Sequence, residues 1–106
     1  MSDIVVLVWF RADPARNDEC LQALHRLAAH LEPRFGLRAR FGWRDEPAKN
    51  RRTWLESWEP LSAEHEHEFV EALAAQAAAL GFETLAPGGR FVDVFRWVGT
   101  AGAPAA

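Results

Sequence analysis

An unbroken apolar run, Ile4-Val5-Val6-Leu7-Val8-Trp9-Phe10, lies near the start of the chain. It has the length of a strand, and its lack of polar alternation predicts burial on both faces. The period then changes. From about Pro14 to Glu32, residues Cys20, Leu21, Leu24, Leu27, Ala28 and Leu31 recur at helical spacing, the stripe of an amphipathic helix. Asp13 before Pro14 predicts an N-cap with proline in the first turn. Glu32-Pro33 predicts the stop, because a residue before proline disfavours helical geometry.

Leu37 to Arg44 alternates, with Leu37, Ala39, Phe41 and Trp43 on one side and Arg38, Arg40, Gly42 and Arg44 on the other. This is the pattern of a half-buried strand. Asp45 to Arg51 is a polar turn holding Pro47 and Asn50, and Arg52 to Glu59 alternates again, so the two strands read as a long-looped antiparallel hairpin. Pro60-Leu61-Ser62 leads into a second helix, with Ser62 as N-cap and Glu64 and Glu66 near its positive end. Its stripe is Phe69, Val70, Leu73, Ala77 and Leu80, and Gly81 is its stop. Phe91 to Val98 forms the fourth strand after Ala86-Pro87-Gly88-Gly89.

The predicted order is βαββαβ. Right-handed crossovers reduce this to an α+β, ferredoxin-like arrangement: a four-stranded antiparallel sheet with two helices on one face. The domain is expected over residues 1–98, with a flexible tail over 99–106. Two helices cover one sheet face, yet the strands carry bulky apolar groups on both parities, as in Val92, Val94 and Val98 against Phe91, Phe95 and Trp97. Burial of one large apolar side chain is worth roughly 1.5–3 kcal/mol, and a bare patch of them invites association. A homodimer is therefore expected, its two sheets face to face.

Composition sharpens this picture. Of 106 residues, 49% are apolar and 25% charged, within the range of a single globular domain. Five Trp and seven Phe occur with no Tyr, and all five Trp fall on predicted strands. Rings without phenol hydroxyls suit a dry interface better than proton transfer. No run reaches the roughly 18 apolar residues of a membrane span. Asp3 stands where a signal peptide would carry positive charge. A lone Cys20 cannot form an internal disulfide, so a cytoplasmic setting is expected.

The net charge of −3 gives no global attraction to nucleic acid or anionic lipid. Positive charge is local: residues 34–52 hold seven of the twelve cations. Such a hairpin could meet phosphate or RNA. However, the strand that follows reads Arg52-Thr53-Trp54-Leu55-Glu56-Ser57-Trp58-Glu59, with glutamates where an RNA-binding sheet wants stacking and positive charge. A solvated basic hairpin is the expectation, and no nucleic-acid partner.

The most distinctive pattern is Trp54, Glu56 and Trp58, which period-two geometry sets on one face. A carboxylate between two indoles is desolvated, and its pKa rises unless a cation answers it. Symmetric pairing about the turn puts Arg40 opposite Glu56 and Arg38 near Trp58. These five residues form a candidate pocket, with an acid or base and an arginine clamp for an anionic small molecule; the competing reading is a buried cross-strand ion pair. Which sheet face carries Trp54, Glu56 and Trp58 stays open, because a shift of one residue flips every side chain. His65 and His67 are about 200° apart around a helix and cannot chelate one ion together. No metal site and no cofactor are expected.

With this order and this strand motif, the chain resembles the dimeric α/β-barrel superfamily. Thr53 to Leu73 resembles the Glu-x-Trp strand and following helix of antibiotic-biosynthesis-type monooxygenases. The chain is also similar to a short, uncharacterised bacterial family of that fold through Arg44, Lys49, Arg52, Thr53-Trp54-Leu55-Glu56, Glu59 and Gly89-Arg90…Asp93-Val94-Phe95. That second likeness implies a fold and no activity. The first implies cofactor-free oxidation of an aromatic substrate, or haem handling. Of the residues those relatives use, Trp58 has a match here, whereas strand one has no Asn and the late second helix is Ala-rich.

Overall fold

The computed structural model describes residues 3–102; residues 103–106 of the expected tail lie outside the described residues. Strand β1 (Asp3–Ala12) is followed by helix α1 (Asn17–Phe35), the hairpin β2 (Arg38–Glu46) and β3 (Arg51–Ser62), helix α2 (Glu66–Ala79), a short helix α3 (Phe82–Leu85) and β4 (Phe91–Arg96). The sheet order is β2-β3-β1-β4 and all neighbours are antiparallel, the ferredoxin-like arrangement expected from the βαββαβ order. Among the described residues, no helix is long and apolar enough to cross a membrane.

The elements begin and end for identifiable reasons. Asp13 accepts a hydrogen bond from the Ala15 N–H at 2.9 Å and caps a 3₁₀ turn over Pro14–Arg16, from which α1 continues. α1 does not stop at Glu32. It runs through Pro33 to Phe35, because Gly36 adopts a left-handed conformation (φ 67°) and its N–H closes the last turn on the Glu32 carbonyl at 2.8 Å. Extending the helix seats Phe35 edge-on to Phe69 of α2, with ring centroids 5.1 Å apart. Ser62 ends β3 and makes no side-chain cap; α2 starts at Glu66 after a 3₁₀ turn over Ala63–His65. Gly81, also left-handed (φ 81°), ends α2 as expected and turns the chain into α3, which the sequence pattern did not predict.

The core lies between the sheet and the helices. Ile4, Val6, Val8 and Phe10 of β1 meet Leu24, Leu27 and Leu31 of α1 and Phe69 and Leu73 of α2, and all of these are essentially inaccessible. Val5 is buried on the other face and Leu7 and Trp9 are half-buried, so the central strand is covered on both sides near its start and less so further along.

Hairpin register decides where the candidate site lies. Glu46 pairs with Arg51 across the loop Pro47–Asn50, and Asn50 is left-handed (φ 49°), its N–H reaching the Pro47 carbonyl at 3.2 Å. Counting back from this closure sets Phe41, not Arg40, opposite Glu56. Pairing Arg40 with Glu56 requires a loop one residue longer or shorter. The shift turns Trp54, Glu56 and Trp58 onto the helix side with Ala39, Phe41 and Trp43, and sends Leu55 to the opposite, outer face.

Candidate functional site

Glu56 is completely buried in the middle of the sheet's helix side. Its β1 neighbour is Val8, its β2 neighbour is Phe41, and Trp54 and Trp58 flank it two residues away on its own strand. Such a site is viable for a carboxylate only if its oxygens are bonded. They are. The Trp58 indole N–H donates to Oε1 at 3.1 Å, and Arg90 forks onto both oxygens: Nη2 to Oε1 at 2.6 Å and to Oε2 at 2.8 Å, with Nε to Oε2 at 3.2 Å.

Arg90 precedes β4 and is itself 10% exposed. Its guanidinium lies over the Phe82 ring at 4.7 Å, and Phe82 meets Phe10 edge-on at 5.5 Å. The cation is thus held between an aromatic face and the buried acid. Burial pushes the Glu56 carboxyl above its ordinary value, against the opposing pull of the Arg90 charge, the Arg90 hydrogen bonds and the Trp58 N–H.

Arg90 also opens outward. It lines a cleft of about 270 Å³ between α2, α3 and β4, walled by Val70, Leu73, Ala77, Phe82 and Val92. The walls are mainly apolar, with Arg90 as the cation and Glu83 as the acid among them. Glu56 does not reach the cleft; Arg90 stands between them. Trp54 and Trp58 are fully buried behind this pair, where Trp58 packs on Phe69 and Phe41, and Trp54 on Trp43 and Phe10. They position; they do not line.

Two residues of the five-member candidate pocket belong elsewhere. Arg40 lies opposite Ser57 and Arg38 opposite Glu59 on the outer face, whereas the hairpin register, shifted by one from the symmetric expectation, turns Glu56 to the helix side and away from both. Arg40 lines an outer groove with Val5, Leu7, Leu55 and Trp97. The cation that answers Glu56 comes instead from Arg90, 34 residues along the chain. One sequence signal could have found it: after Arg52, the chain contains only two cations, Arg90 and Arg96.

Other singled-out residues have plainer surroundings. Arg52 forks onto Asp45 (2.6 and 3.3 Å), reaches Asn17 of α1 and stacks on Trp43, so it ties the hairpin to the helix. Arg11, Arg44 and Lys49 converge on Glu46 at 3.4–3.9 Å, and the Thr53 hydroxyl, with Arg11 and Lys49, holds that carboxyl below the usual range. His67 pairs with Glu71 at 3.3 Å on the exposed side of α2. The Cys20 thiol is buried and pushed up by burial, which makes it inert.

Comparison with known proteins supports the fold and goes no further. No family profile matches the chain, and no curated protein matches it. Among solved structures it is similar to SnoaB, a cofactor-independent oxygenase from Streptomyces nogalater, with 15% identity, a TM-score of 0.64 and coverage of 97% of this chain and 100% of that one. It is also similar to a candidate antibiotic-biosynthesis monooxygenase from Caulobacter crescentus, with 20% identity, a TM-score of 0.61 and 92% of each chain covered. A de novo designed protein, Foldit4, matches as well, with 12% identity, a TM-score of 0.62 and coverage of 92% of this chain and 99% of that one. A designed fold matching this closely shows that the likeness carries architecture, not activity.

Proposed function

We propose that the chain binds a flat, mainly apolar small molecule in the cleft between α2, α3 and β4, with Arg90 as the polar contact that orients it. The observation that carries this reading is the double attachment of Arg90. It lines the cleft while the buried Glu56 carboxylate fixes its guanidinium in place, which is the preorganisation a binding site needs. Trp54 and Trp58 serve as the rigid wall that holds Glu56. The test is a titration with 2-naphthol, read at the methyl resonances of Val70, Leu73 and Val92 and at the Trp58 indole N–H. Ala74→Phe, a substitution at an exposed position on the cleft wall, should abolish the shifts. Unchanged binding in that variant would contradict the assignment.

A second reading is an oxygenase-like enzyme acting on an aromatic substrate in the same cleft. It is favoured by the fold shared with SnoaB and by a carboxyl raised by burial one guanidinium away from the cleft. Oxygen uptake with a naphthoquinol decides it: uptake that disappears in Glu56→Gln supports catalysis, and no uptake leaves binding alone.

We further infer that two copies pair through the outer sheet face. Leu55, Phe95 and Trp97 are 47–56% exposed there in one copy, beside half-buried Leu7 and Trp9. The charges on this face are asymmetric. Arg38, Arg40 and Arg44 line the β2 edge, and Asp93 lies on the β4 edge. A two-fold axis parallel to the strands sets β2 of one copy over β4 of the other and brings opposite charges together. An axis across the strands would stack the arginine edges on each other.

A further inference from the structure

A second cavity stands apart from the Arg90 cleft. It lies at the hairpin end of the sheet, about 380 Å³, between the end of β1, the β2–β3 loop and the glycine loop ahead of β4. Three cations line it: Arg11, Lys49 and Arg51. Arg11 and Lys49 share one carboxylate, Glu46, at 3.4 and 3.9 Å. Arg51 has no ion-pair or side-chain hydrogen-bond partner among the described residues, although it stands directly across the ladder from Glu46. The acid in the lining, Asp13, is committed to the Ala15 N–H. Positive charge is therefore in excess around a concave surface, and one guanidinium is free to act.

The opposite wall differs. Pro87, Gly88, Gly89 and Phe91 form it, and Gly89 takes φ 93°, a conformation that favours glycine. A Cβ built on either glycine meets nothing within 4 Å, so the loop backbone faces open space a ligand can approach. Phe91 stacks on Trp9 at 4.3 Å, which fixes its ring as a platform.

We propose that this cavity is a second binding site, for a small organic anion that places a phosphate or carboxylate between Lys49 and Arg51 and its apolar body against Phe91 and Pro87. A guanidinium free of intramolecular partners is the group suited to a forked contact with such an anion. The site is separate from the Arg90 cleft in charge and in walls; Gly89 borders both.

The test is titration of the isotope-labelled full chain with phenyl phosphate, beside inorganic phosphate and phenol. The backbone amides of Arg11, Asn50, Arg51, Gly88 and Gly89 should shift together. Lys49→Ala/Arg51→Ala should raise Kd by roughly tenfold or more, while Arg26→Ala, which removes a cation outside the cavity lining, leaves it unchanged. Shifts confined to the Arg90 cleft, an unchanged Kd in the double variant, or phenol moving the same amides as strongly would each overturn the proposal. Inorganic phosphate binding as tightly as phenyl phosphate would overturn the part given to Phe91.

Discussion

Arg90 and Glu56 form a forked ion pair inside the core, with contacts of 2.6, 2.8 and 3.2 Å, and the carboxylate is wholly inaccessible. The two ends of the pair differ. Arg90 reaches the cleft and Glu56 does not. Removing one member of a buried pair strands the other, at a cost of about 3–5 kcal/mol. Arg90→Leu should cost stability in that range at neutral pH. Glu56→Leu should cost less, because a stranded Arg90 can turn toward water in the cleft. The double substitution should recover much of the loss. Urea unfolding of the three variants measures all of this, and equal costs for the two single changes would contradict the asymmetry.

The same pair predicts a pH dependence. Burial raises the Glu56 carboxyl above its ordinary value, so the folded state holds this proton more tightly than the unfolded chain does. The stability linked to that proton is complete below the ordinary glutamate range, about pH 4.3, and is lost as pH rises through the folded value. Glu19, Asp45 and Glu46 run the other way, being lowered by Arg16, by Arg52, and by Thr53 with Arg11 and Lys49; their contribution is lost on acidification. Comparing the native chain with Glu56→Gln cancels those three groups. The stability advantage of the native chain over the variant should shrink as pH rises from 4 to 8.

These relationships mark where sequence reasoning stops. The alternation of Trp54, Glu56 and Trp58 was legible, as were the helices' apolar stripes and the βαββαβ order, because each rests on local periodicity. The face those three residues occupy was not. It depends on loop length between β2 and β3, and one residue more or fewer exchanges Arg40 for Phe41 opposite Glu56. Arg90 was hidden for a different reason. It follows Gly88-Gly89 in what reads as a plain turn, and only the β1–β4 pairing brings it back to the sheet centre. Pro33 misled by rule: α1 carries it inside and ends beyond it, where left-handed Gly36 closes the last turn.

Asn50 is the residue on which that register turns. Its left-handed backbone (φ 49°) closes the hairpin loop, and a β-branched residue there is strained by about 1–2 kcal/mol. Asn50→Gly should be tolerated, and Asn50→Val should lose stability of that order by thermal or urea unfolding. The Val variant should also broaden the amide resonances of β2 more than those of β1, because β2 is held to the sheet only through β3.

The outer face gives the clearest test of assembly. Phe95 is 54% exposed and directly opposite Val5, away from the helices and the Glu56–Arg90 pair. A charge there desolvates badly in a closed interface and costs nothing to an isolated chain, so Phe95→Asp should halve the sedimentation mass at micromolar concentration without lowering the stability of the single copy. The Arg40 edge should respond in the same direction but more weakly. If β2 of one copy lies over β4 of the other, Arg40→Glu should weaken association, and combination with Asp93→Arg should restore part of it. Recovery in the double variant depends on the two edges facing each other. A native chain sedimenting as a monomer would remove the need for a partner and leave Leu55, Phe95 and Trp97 as exposed apolar surface with no explanation.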